Sequence, residues 1–375
     1  MRKVIAAINP TLLRCRFVRM SETSLSALLP PLRLLVLGYG HVAQAFLSLL
    51  ASRCEWLGRE LGIRPVIIGI GSRSRGLYIH SQGIDADLLV REQDPLYWFS
   101  CAGTRVENAE AFIRSGKNVA ASLFVELTTL NPRNGQPALT HIRKALQAGM
   151  DVITANKGPV AHAQAELQSL AHRHNLQFRF ESTVMDGLPV INLAEFTLPA
   201  VGIQSFQAIL NSTSSLVLNL IEQGYSQDEA IRRAQHIGVA EADPSYDLDG
   251  WDAVMKTTIL ANTLLEGQLT PHMVEREGIR DLTPDEICAA ALAGSPIRLV
   301  SQAHRKHGVL IADVRPRRIS SDDTLHIGTG TTGVISLETE AMGTITIVEH
   351  EPDVIQTAYG VLSDLITIHR QRSTT

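Results

Sequence analysis

The sequence predicts an α/β protein with a doubly wound parallel sheet, followed by a second lobe of α+β type. Short apolar strands alternate with helices from about residue 33 to residue 155, which is the pattern of a parallel sheet. After residue 156 the helices become longer and the regular alternation ends. Of the 375 residues 45% are hydrophobic and 19% are charged, so the chain can bury the cores of two lobes.

The first lobe is predicted from its strands and from the turns that follow them. An apolar strand at 34–37 leads into a turn with two glycines and then into a helix that runs through Leu50. Further strands are expected at 65–70, 123–127 and 151–154, and a helix over 141–148 precedes the last of them. This order of strands and helices favours parallel pairing.

The second lobe is predicted from longer helices and from scattered strand-like segments. The helices are expected at 159–173, 226–236 and 251–265, and the strands near 177–183, 204–210, 308–314 and 342–348. An amphipathic helix at 354–368 follows them. Residues 1–31 are basic and are expected to form a flexible extension, so they are left out of the fold prediction.

The charge balance excludes two classes of partner. The formal net charge is −4, with 34 Lys and Arg against 38 Asp and Glu, so no positive surplus exists to attract nucleic acid or an anionic membrane. The uncharged segment 196–221 is too polar for a membrane span, because it includes Pro199, Gln204 and Asn211. We expect that segment to lie in the interior of the protein.

The cysteines indicate a reducing compartment. The chain has four of them, far apart and without the spacing of a metal site: Cys15, Cys54, Cys101 and Cys288. Unbridged thiols of this kind favour a location in the cytoplasm.

The turn between the first strand and its helix predicts a dinucleotide site. Gly38 permits a tight turn, Gly40 lets the backbone approach a pyrophosphate, and Ala43 allows the helix to pack closely on the strand. The amino terminus of the helix then offers its N–H groups to the phosphates. The first lobe is therefore predicted to be a Rossmann-type domain.

The end of the second strand bears on the choice of cofactor. An Asp or Glu usually stands there in a site that prefers NAD, because it accepts from the ribose hydroxyls. Here the chain carries Arg73 and Arg75 instead, and no acid. The two arginines either lie in solvent or hold a 2′-phosphate, and the second interpretation predicts NADP, with NAD as the alternative.

A cluster of acids around one lysine is the strongest candidate for chemistry. Five carboxylates and Lys256 fall within residues 240–256, and Asp252 lies one helical turn before that lysine. The residues that follow on the same helix face are apolar, so Lys256 is expected to point into a cleft, although an exposed pair is the alternative. Lys157 comes directly after a strand, at the edge where open α/β sheets bind ligands.

Six segments in order resemble homoserine dehydrogenases, and the resemblance runs from about residue 34 to residue 368. The segments are Gly38-x-Gly40-x-Val42-Ala43, Glu126-Leu127-Thr128-Thr129, Ala155-Asn156-Lys157, Gly238-x-x-Glu241-x-Asp243-Pro244, Asp247-x-x-Gly250-x-Asp252-x-x-x-Lys256 and Thr357-Ala358-x-x-Val361-x-x-Asp364-Leu365. The acidic segments followed by a lysine are specific to that family.

The resemblance implies NAD(P)-dependent interconversion of L-homoserine and L-aspartate 4-semialdehyde, in the biosynthesis of threonine and methionine. It implies that Glu241 holds the substrate ammonium group, that Thr213 helps to hold the carboxylate, and that Asp247 also contacts the substrate. Lys157, Asp252 and Lys256 are expected to surround the reacting oxygen, where a lysine beside a carboxylate moves a proton. The expected cofactor residues are Gly38, Gly40, His41, Val42, Arg73, Thr128, Thr129 and Lys157.

The resemblance also implies a domain division and an assembly. We predict a dinucleotide-binding domain at 33–155, a substrate and dimerisation domain at 156–345, and a last helix within 346–370 that returns to the first domain. The chain is expected to form a homodimer, with the uncharged segment 196–221 as an interface strand. Only 11 residues follow Asp364, so the resemblance is to short family members without a C-terminal regulatory domain.

Three positions depart from the family pattern. Met185 and Asp186 stand in a turn that is normally built of small residues, and the family binds a monovalent cation there, which assigns the cation to Val184, Asp186 and Leu188. Ser212 replaces a glycine beside the substrate carboxylate. The acidic stretch Glu349–Asp353 replaces a glycine-rich turn near the cofactor, where carboxylates are unfavourable unless they point away.

These departures leave two alternatives to homoserine oxidation. One is a related amino-acid or hydroxy-acid dehydrogenase whose substrate end has been reshaped. The other is a nucleotide-binding protein without dehydrogenase activity.

Overall fold

The computed structural model describes residues 29–90 and 94–373, which form two sheets and the helices around them. The predicted extension at 1–31 lies almost wholly outside the described residues. One apolar core runs from Val152 in the first sheet to Phe206 in the second, so the two sheets are held in one body.

The first sheet has seven strands in the order β4-β3-β2-β1-β5-β6-β7. The strands are β1 (Pro31–Leu37), β2 (Arg64–Ser72), β3 (Gly76–Asp85), β4 (Thr104–Val106), β5 (Leu123–Glu126), β6 (Asp151–Thr154) and β7 (Phe178–Arg179). Its helices are α1 (His41–Leu61), α2 (Pro95–Ala102), α3 (Ala109–Asn118), α4 (Ala138–Gln147) and α5 (Lys157–Arg173). The predicted α/β class with a doubly wound parallel sheet is confirmed, since β2, β1, β5, β6 and β7 all pair in parallel.

Two features of this sheet differ from the prediction. The strands β3 and β4 add an antiparallel edge, because β2 returns directly into β3 through a tight turn that ends at Gly76, whose φ is +96°. The segment predicted near 177–183 supplies β7, which pairs with β6 in the first sheet and not with the second lobe. The first sheet therefore extends past residue 155.

The second sheet has six strands in the order β13-β12-β8-β10-β11-β9. They are β8 (Ile203–Ile209), β9 (Glu275–Arg276), β10 (Ile297–Lys306), β11 (Val309–Arg318), β12 (Gly333–Thr339) and β13 (Gly343–Glu349). The helices of this part are α6 (Val190–Asn192), α7 (Ser212–Glu222), α8 (Gln227–His236), α9 (Ser245–Leu248), α10 (Trp251–Leu264) and α11 (Pro284–Leu292). All neighbours pair antiparallel except β9, which runs parallel to β11.

The assignment of segment 196–221 to a subunit interface stays a prediction. The segment contains β8, which is paired on one edge with β12 and on the other with β10, and then the first part of α7. Both edges of β8 are already used, so it has no free edge for a strand of another subunit.

The last helix, α12 (Val354–Ser373), packs on α1 of the first lobe. Ala358, Val361 and Leu365 on α12 join Phe46 and Leu50 of α1 in one buried cluster. The helix that returns to the first lobe begins only at residue 354, because residues 343–349 form β13 of the second sheet. In the parts of the chain that the structure describes, no helix has both the length and the hydropathy that crossing a bilayer requires.

Candidate active site

The turn after β1 has the geometry of a dinucleotide cradle. Gly38 has a φ of +103°, and a Cβ built on it would lie 2.2 Å from the carbonyl oxygen of Leu127. Its N–H donates to the carbonyl of Gly71 at 2.8 Å, which ties the turn to the end of β2. Only glycine satisfies both the backbone angle and the close approach at this position.

Gly40 faces open space, unlike Gly38. A Cβ built on Gly40 would have no atom within 4 Å, and Gly40 caps α1 without any side-chain hydrogen bond. The N–H groups at the start of this 21-residue helix, including those of His41 and Val42, are therefore available to an anion. The cradle fits a pyrophosphate, as the sequence predicted.

The two glycines give a prediction that separates folding from cofactor binding. Gly38→Ala is expected to cost about 2 kcal/mol or more of unfolding free energy, since the new methyl group meets the Leu127 carbonyl. Gly40→Ala is expected to keep the wild-type stability but to weaken NAD(P) binding about tenfold, because its methyl group occupies the cradle. Urea unfolding and cofactor titration measure the two effects. Wild-type cofactor affinity in Gly40→Ala would contradict this assignment.

Both arginines at the end of β2 are exposed, but Arg75 also has partners within the protein. Arg75 forms an ion pair with Asp94, and its guanidinium lies over the ring of Tyr39 at 5.3 Å from the centroid. Tyr39 stands between the two glycines of the cradle, and its hydroxyl donates to Asp94 at 3.1 Å. Arg75 thus has a carboxylate partner, while Arg73 lies exposed in the turn between β2 and β3, and a 2′-phosphate contact of either arginine stays a prediction.

The ends of β5 and β6 are tied together beside the cradle. The buried carboxylate of Glu126 accepts from the N–H and the hydroxyl of Thr128 and from the hydroxyl of Thr154. Burial raises its pKa to about 7, although these hydrogen bonds oppose the shift. Asn156 donates to the carbonyl of Thr128 at 3.1 Å and caps α5. Thr128 thus orders the loop, and Thr129 follows it in an exposed position.

Lys157, Asp252 and Lys256 meet where the two lobes join. Lys157 is the first residue of α5, directly after β6, and its ammonium group bonds Oδ1 of Asp252 on α10. The ammonium of Lys256, one turn further along α10, lies 3.5 Å from the other carboxylate oxygen and donates to the carbonyl of Leu210 at 2.7 Å. All three side chains are largely buried, with 22%, 8% and 15% of their surface exposed. Lys256 is therefore largely buried and is not part of an exposed pair, and its place in a substrate cleft stays a prediction.

The side chains of Asn211, Asp247 and Tyr246 complete this cluster. Of these, only Asp247 is predicted as a site residue from the sequence. Asn211, the cap of α7, donates to Asp247 at 2.7 Å and to Asp252 at 3.0 Å through the same amide nitrogen. The hydroxyl of Tyr246 is buried there without a hydrogen-bond partner among the described residues. Burial raises its pKa, and Asp252 and Asp247 add to the shift.

The charges in the cluster are strongly coupled. Burial alone would raise the pKa of Asp252, but Lys157, Lys256 and the bond from Asn211 outweigh it and hold that pKa well below its ordinary value. Burial alone would lower the pKa of Lys256, yet the surrounding carboxylates raise it. Asp247 shows the opposite result to Asp252, since burial and the repulsion from Asp252 raise its pKa. Asp252 is therefore ionised and Lys256 is an ammonium ion at neutral pH.

Two acidic residues from segments that differ from the family pattern also lie near Lys256. Asp186 and Glu349 both contribute to the raised pKa of Lys256, and Glu349 is 6% exposed at the end of β13. Burial and the charge of Asp186 raise the pKa of Glu349 to about 8, so it is largely protonated at neutral pH. The neutral form limits the repulsion that was expected from this acidic stretch. Asp353 instead caps α12, accepting from Ile355 and Gln356 at 2.8 and 2.9 Å.

Thr213 and Glu241 are the residues predicted to hold the carboxylate and the ammonium group of the substrate. Thr213 lies in α7, and Glu241 lies on the exposed segment that follows α8. Thr213 is 5% exposed in the first turn of α7, and its hydroxyl donates to the carbonyl of Val239 at 3.1 Å. This bond holds the segment after α8 against α7, and Glu241 follows on that segment with an exposed side chain. Ser212 donates to the carbonyl of Thr331 at 3.2 Å. Asn211 accepts from the N–H of Ser214, and the positive end of the helix dipole favours a carboxylate beside it.

The turn with the predicted cation ligands runs from Val184 to Leu188. Among the described residues no cluster of three or more His, Cys, Asp or Glu side chains is placed to hold a metal, but the expected ligands are mainly carbonyl oxygens. Leu188 donates its N–H to the carbonyl of Met185 at 2.7 Å, and the side chain of Asp186 accepts from the hydroxyl of Thr357 at 2.8 Å. The assignment to Val184, Asp186 and Leu188 stays a prediction.

Sequence comparison connects this site to known enzymes. The sequence model of the homoserine dehydrogenase family matches residues 189–366. The chain is similar to the NAD(+)-dependent homoserine dehydrogenase of Pseudomonas canavaninivorans, at 37% identity over 343 residues that cover 90% of this chain and 96% of that protein. The chain belongs to the homoserine dehydrogenase family. It is also similar to the homoserine dehydrogenase of Methanocaldococcus jannaschii, at 31% identity over 90% of this chain and 98% of that protein.

Solved structures agree with this placement. A putative homoserine dehydrogenase from Archaeoglobus fulgidus superposes with a TM-score of 0.78 at 27% identity, covering 90% of this chain and 99% of that one. A hyperthermophilic archaeal homoserine dehydrogenase mutant in complex with NADPH gives a TM-score of 0.75 at 26% identity, covering 91% and 98%. The chain is thus an NAD(P)-dependent oxidoreductase that interconverts L-homoserine and L-aspartate 4-semialdehyde.

Proposed function

We propose that Lys157, Asp252 and Lys256 carry the proton chemistry of homoserine oxidation. The observation behind this proposal is the buried contact of both ammonium groups with one carboxylate, at the sheet edge beside the cofactor cradle. When bound, the nicotinamide ring accepts the hydride from C4 of homoserine or returns it to the semialdehyde. The protein must then take the hydroxyl proton, or supply it in the reverse direction.

Lys256 is the proposed proton carrier. In the reducing direction its ammonium group donates to the aldehyde oxygen as negative charge develops there. In the oxidising direction the neutral amine accepts the hydroxyl proton. Asp252 holds both lysines in place, and Lys157 adds a second positive charge next to the oxygen. The raised pKa of Lys256 means that oxidation becomes faster as pH rises through the alkaline range.

The amino-acid end of the substrate is proposed to lie against α7 and the exposed segment after α8. The N–H groups in the first turn of α7, with Thr213, suit the α-carboxylate. Glu241 suits the α-ammonium group, and Asp247 adds negative charge between that group and the lysines. The buried amide of Asn211 keeps Asp247 and Asp252 at fixed positions.

Glu241→Gln tests this assignment of the substrate. We expect KM for homoserine to rise at least tenfold with little change in kcat, because a charge-assisted bond to the ammonium group is lost. The rate with 4-hydroxybutyrate, which lacks that group, is expected to stay low and unchanged. The matched control is Glu229→Gln, on the exposed surface of α8. A Glu241→Gln enzyme with wild-type KM for homoserine would contradict the assignment.

The departures from the family pattern keep a narrower alternative open. In it, Ser212 and Met185 reshape the substrate end, and a related amino alcohol or hydroxy acid replaces homoserine. The intact contacts of Lys157, Asp252 and Lys256 favour catalysis over a protein that only binds nucleotide. A panel of amino alcohols and hydroxy acids in the same assay distinguishes these cases.

The chain is further proposed to be a cytoplasmic homodimer. Helices α7, α10 and α11 pack on one face of the second sheet, against β10 and β11. The opposite face of this sheet, which includes β8 from segment 196–221, is the proposed dimer contact. Among the described residues, Cys54, Cys101 and Cys288 form no disulfide bond, which fits the proposed reducing compartment. Sedimentation as a monomer at micromolar concentration would contradict the dimer.

A further inference from the structure

The cofactor cradle carries a carboxylate that does not come from the end of β2. Asp94 stands just before α2, where its Oδ1 accepts from the N–H groups of Leu96 and Tyr97 at 3.1 and 3.4 Å and so caps the helix. The same oxygen accepts from the hydroxyl of Tyr39, which lies between the two cradle glycines. The carboxylate of Asp94 is therefore held against the glycine turn, although Asp94 lies more than fifty residues later in the chain.

Asp94 also forms an ion pair with Arg75, one of the two arginines considered as ligands of a 2′-phosphate. The guanidinium of Arg75 pairs with Oδ2 of Asp94 and rests over the ring of Tyr39. Arg75 therefore already has an anionic partner before any cofactor binds. Side-chain exposures of 45% for Arg75 and 36% for Asp94 leave both within reach of a ligand.

We propose that Asp94 determines the cofactor preference of this enzyme, favouring the ribose hydroxyls of NAD over the 2′-phosphate of NADP. The proposal rests on the cofactor site described above, with the pyrophosphate at Gly40. In dinucleotide sites an acid that accepts from the ribose hydroxyls selects NAD, and such an acid repels an added phosphate. Here the acid is supplied by the cap of α2, which explains how the site functions without one at the end of β2.

Asp94→Asn tests the proposal. Asparagine keeps an oxygen for the helix cap and for Tyr39, removes the negative charge and releases Arg75. We expect kcat/KM for NADP to rise at least tenfold, kcat/KM for NAD to fall several-fold, and the dissociation constant of NADP to fall in the same sense. Should Asp94→Asn fail to fold, Asp94→Ser retains the cap and gives the same readout.

Asp85→Asn is the matched control. Asp85 also pairs with an arginine, Arg64, and is also 36% exposed, but it lies beside the start of β2, at the other end of that strand from the cradle. Its removal is expected to leave the ratio of the two cofactors unchanged. A ratio within twofold of wild type in a folded Asp94 variant, or a wild type that prefers NADP, would overturn the proposal. Failure of the wild type to bind either cofactor would instead reject the cradle itself.

Discussion

Lys256→Met is expected to lower kcat for homoserine oxidation about a thousandfold, within the range attributed to general acid–base catalysis. Methionine preserves the length of the buried side chain, so the loss reflects the missing amine and not a cavity. The dissociation constant for NAD or NADP is expected to stay within about threefold of wild type, because the proposed role of Lys256 is toward the substrate and not the cofactor. Steady-state rates and cofactor titration measure both quantities.

The pH dependence gives a second readout of the same substitution. The neighbouring carboxylates raise the pKa of Lys256, so the neutral amine needed for oxidation forms only as the solution becomes alkaline. The wild-type rate is expected to increase with pH, and the residual rate of Lys256→Met is expected to lack this increase. Lys306→Ala, at the exposed end of β10, is the control and should match wild type. A Lys256→Met enzyme with more than a tenth of the wild-type kcat would contradict the assigned role.

Asp252→Asn is expected to cost about 3 kcal/mol of unfolding free energy and at least a hundredfold in kcat. Removing this carboxylate leaves the ammonium groups of Lys157 and Lys256 close together in a largely buried site. Asparagine still accepts from Asn211, so the change isolates the charge. Urea unfolding at pH 7 measures the loss of stability.

The sign of the pH effect follows from the depressed pKa of Asp252. Its ionised form contributes stability above its ordinary pKa near 3.8, and that contribution is lost as the pH falls towards the lower folded value. The difference between wild type and Asp252→Asn should therefore be largest near neutral pH and shrink below about pH 4. The control is Asp249→Asn, three residues before Asp252, which breaks an exposed ion pair with Arg280. It should cost less than about 1 kcal/mol of unfolding free energy. Equal losses from the two variants would contradict the buried charge contact.

The fold was predictable where each strand has a simple apolar pattern. The strands β1, β2, β5 and β6 are buried on both faces, and their positions follow from short apolar runs. The sequence did not predict β10, where Arg298 lies in a buried strand and pairs with Glu222 at 2.5 Å. A charged residue interrupts the apolar pattern, and its partner is 76 residues away in sequence.

The site was predictable in its residue types but not in its full membership. Lys157 and Asp252 are 95 residues apart, and the family pattern brought them together. Glu349 was expected near phosphates, yet the pairing of β13 with β12 places it among the residues that surround Lys256. Asp94 gave no signal, because it is recruited to the cradle only through its contacts with Tyr39 and Arg75. Contacts of this kind depend on tertiary structure and not on local pattern.

A double-variant cycle in single-turnover kinetics tests the central claim, that Asp252 and Lys256 act as one unit in moving the proton. The reduced nicotinamide absorbance is followed with saturating L-homoserine and cofactor in wild type, Asp252→Asn, Lys256→Met and the double variant. If the two residues form one unit, the double variant is only a few-fold slower than the slower single variant. If the two losses multiply, each residue acts independently, and the proposed role of Asp252 in holding Lys256 is wrong.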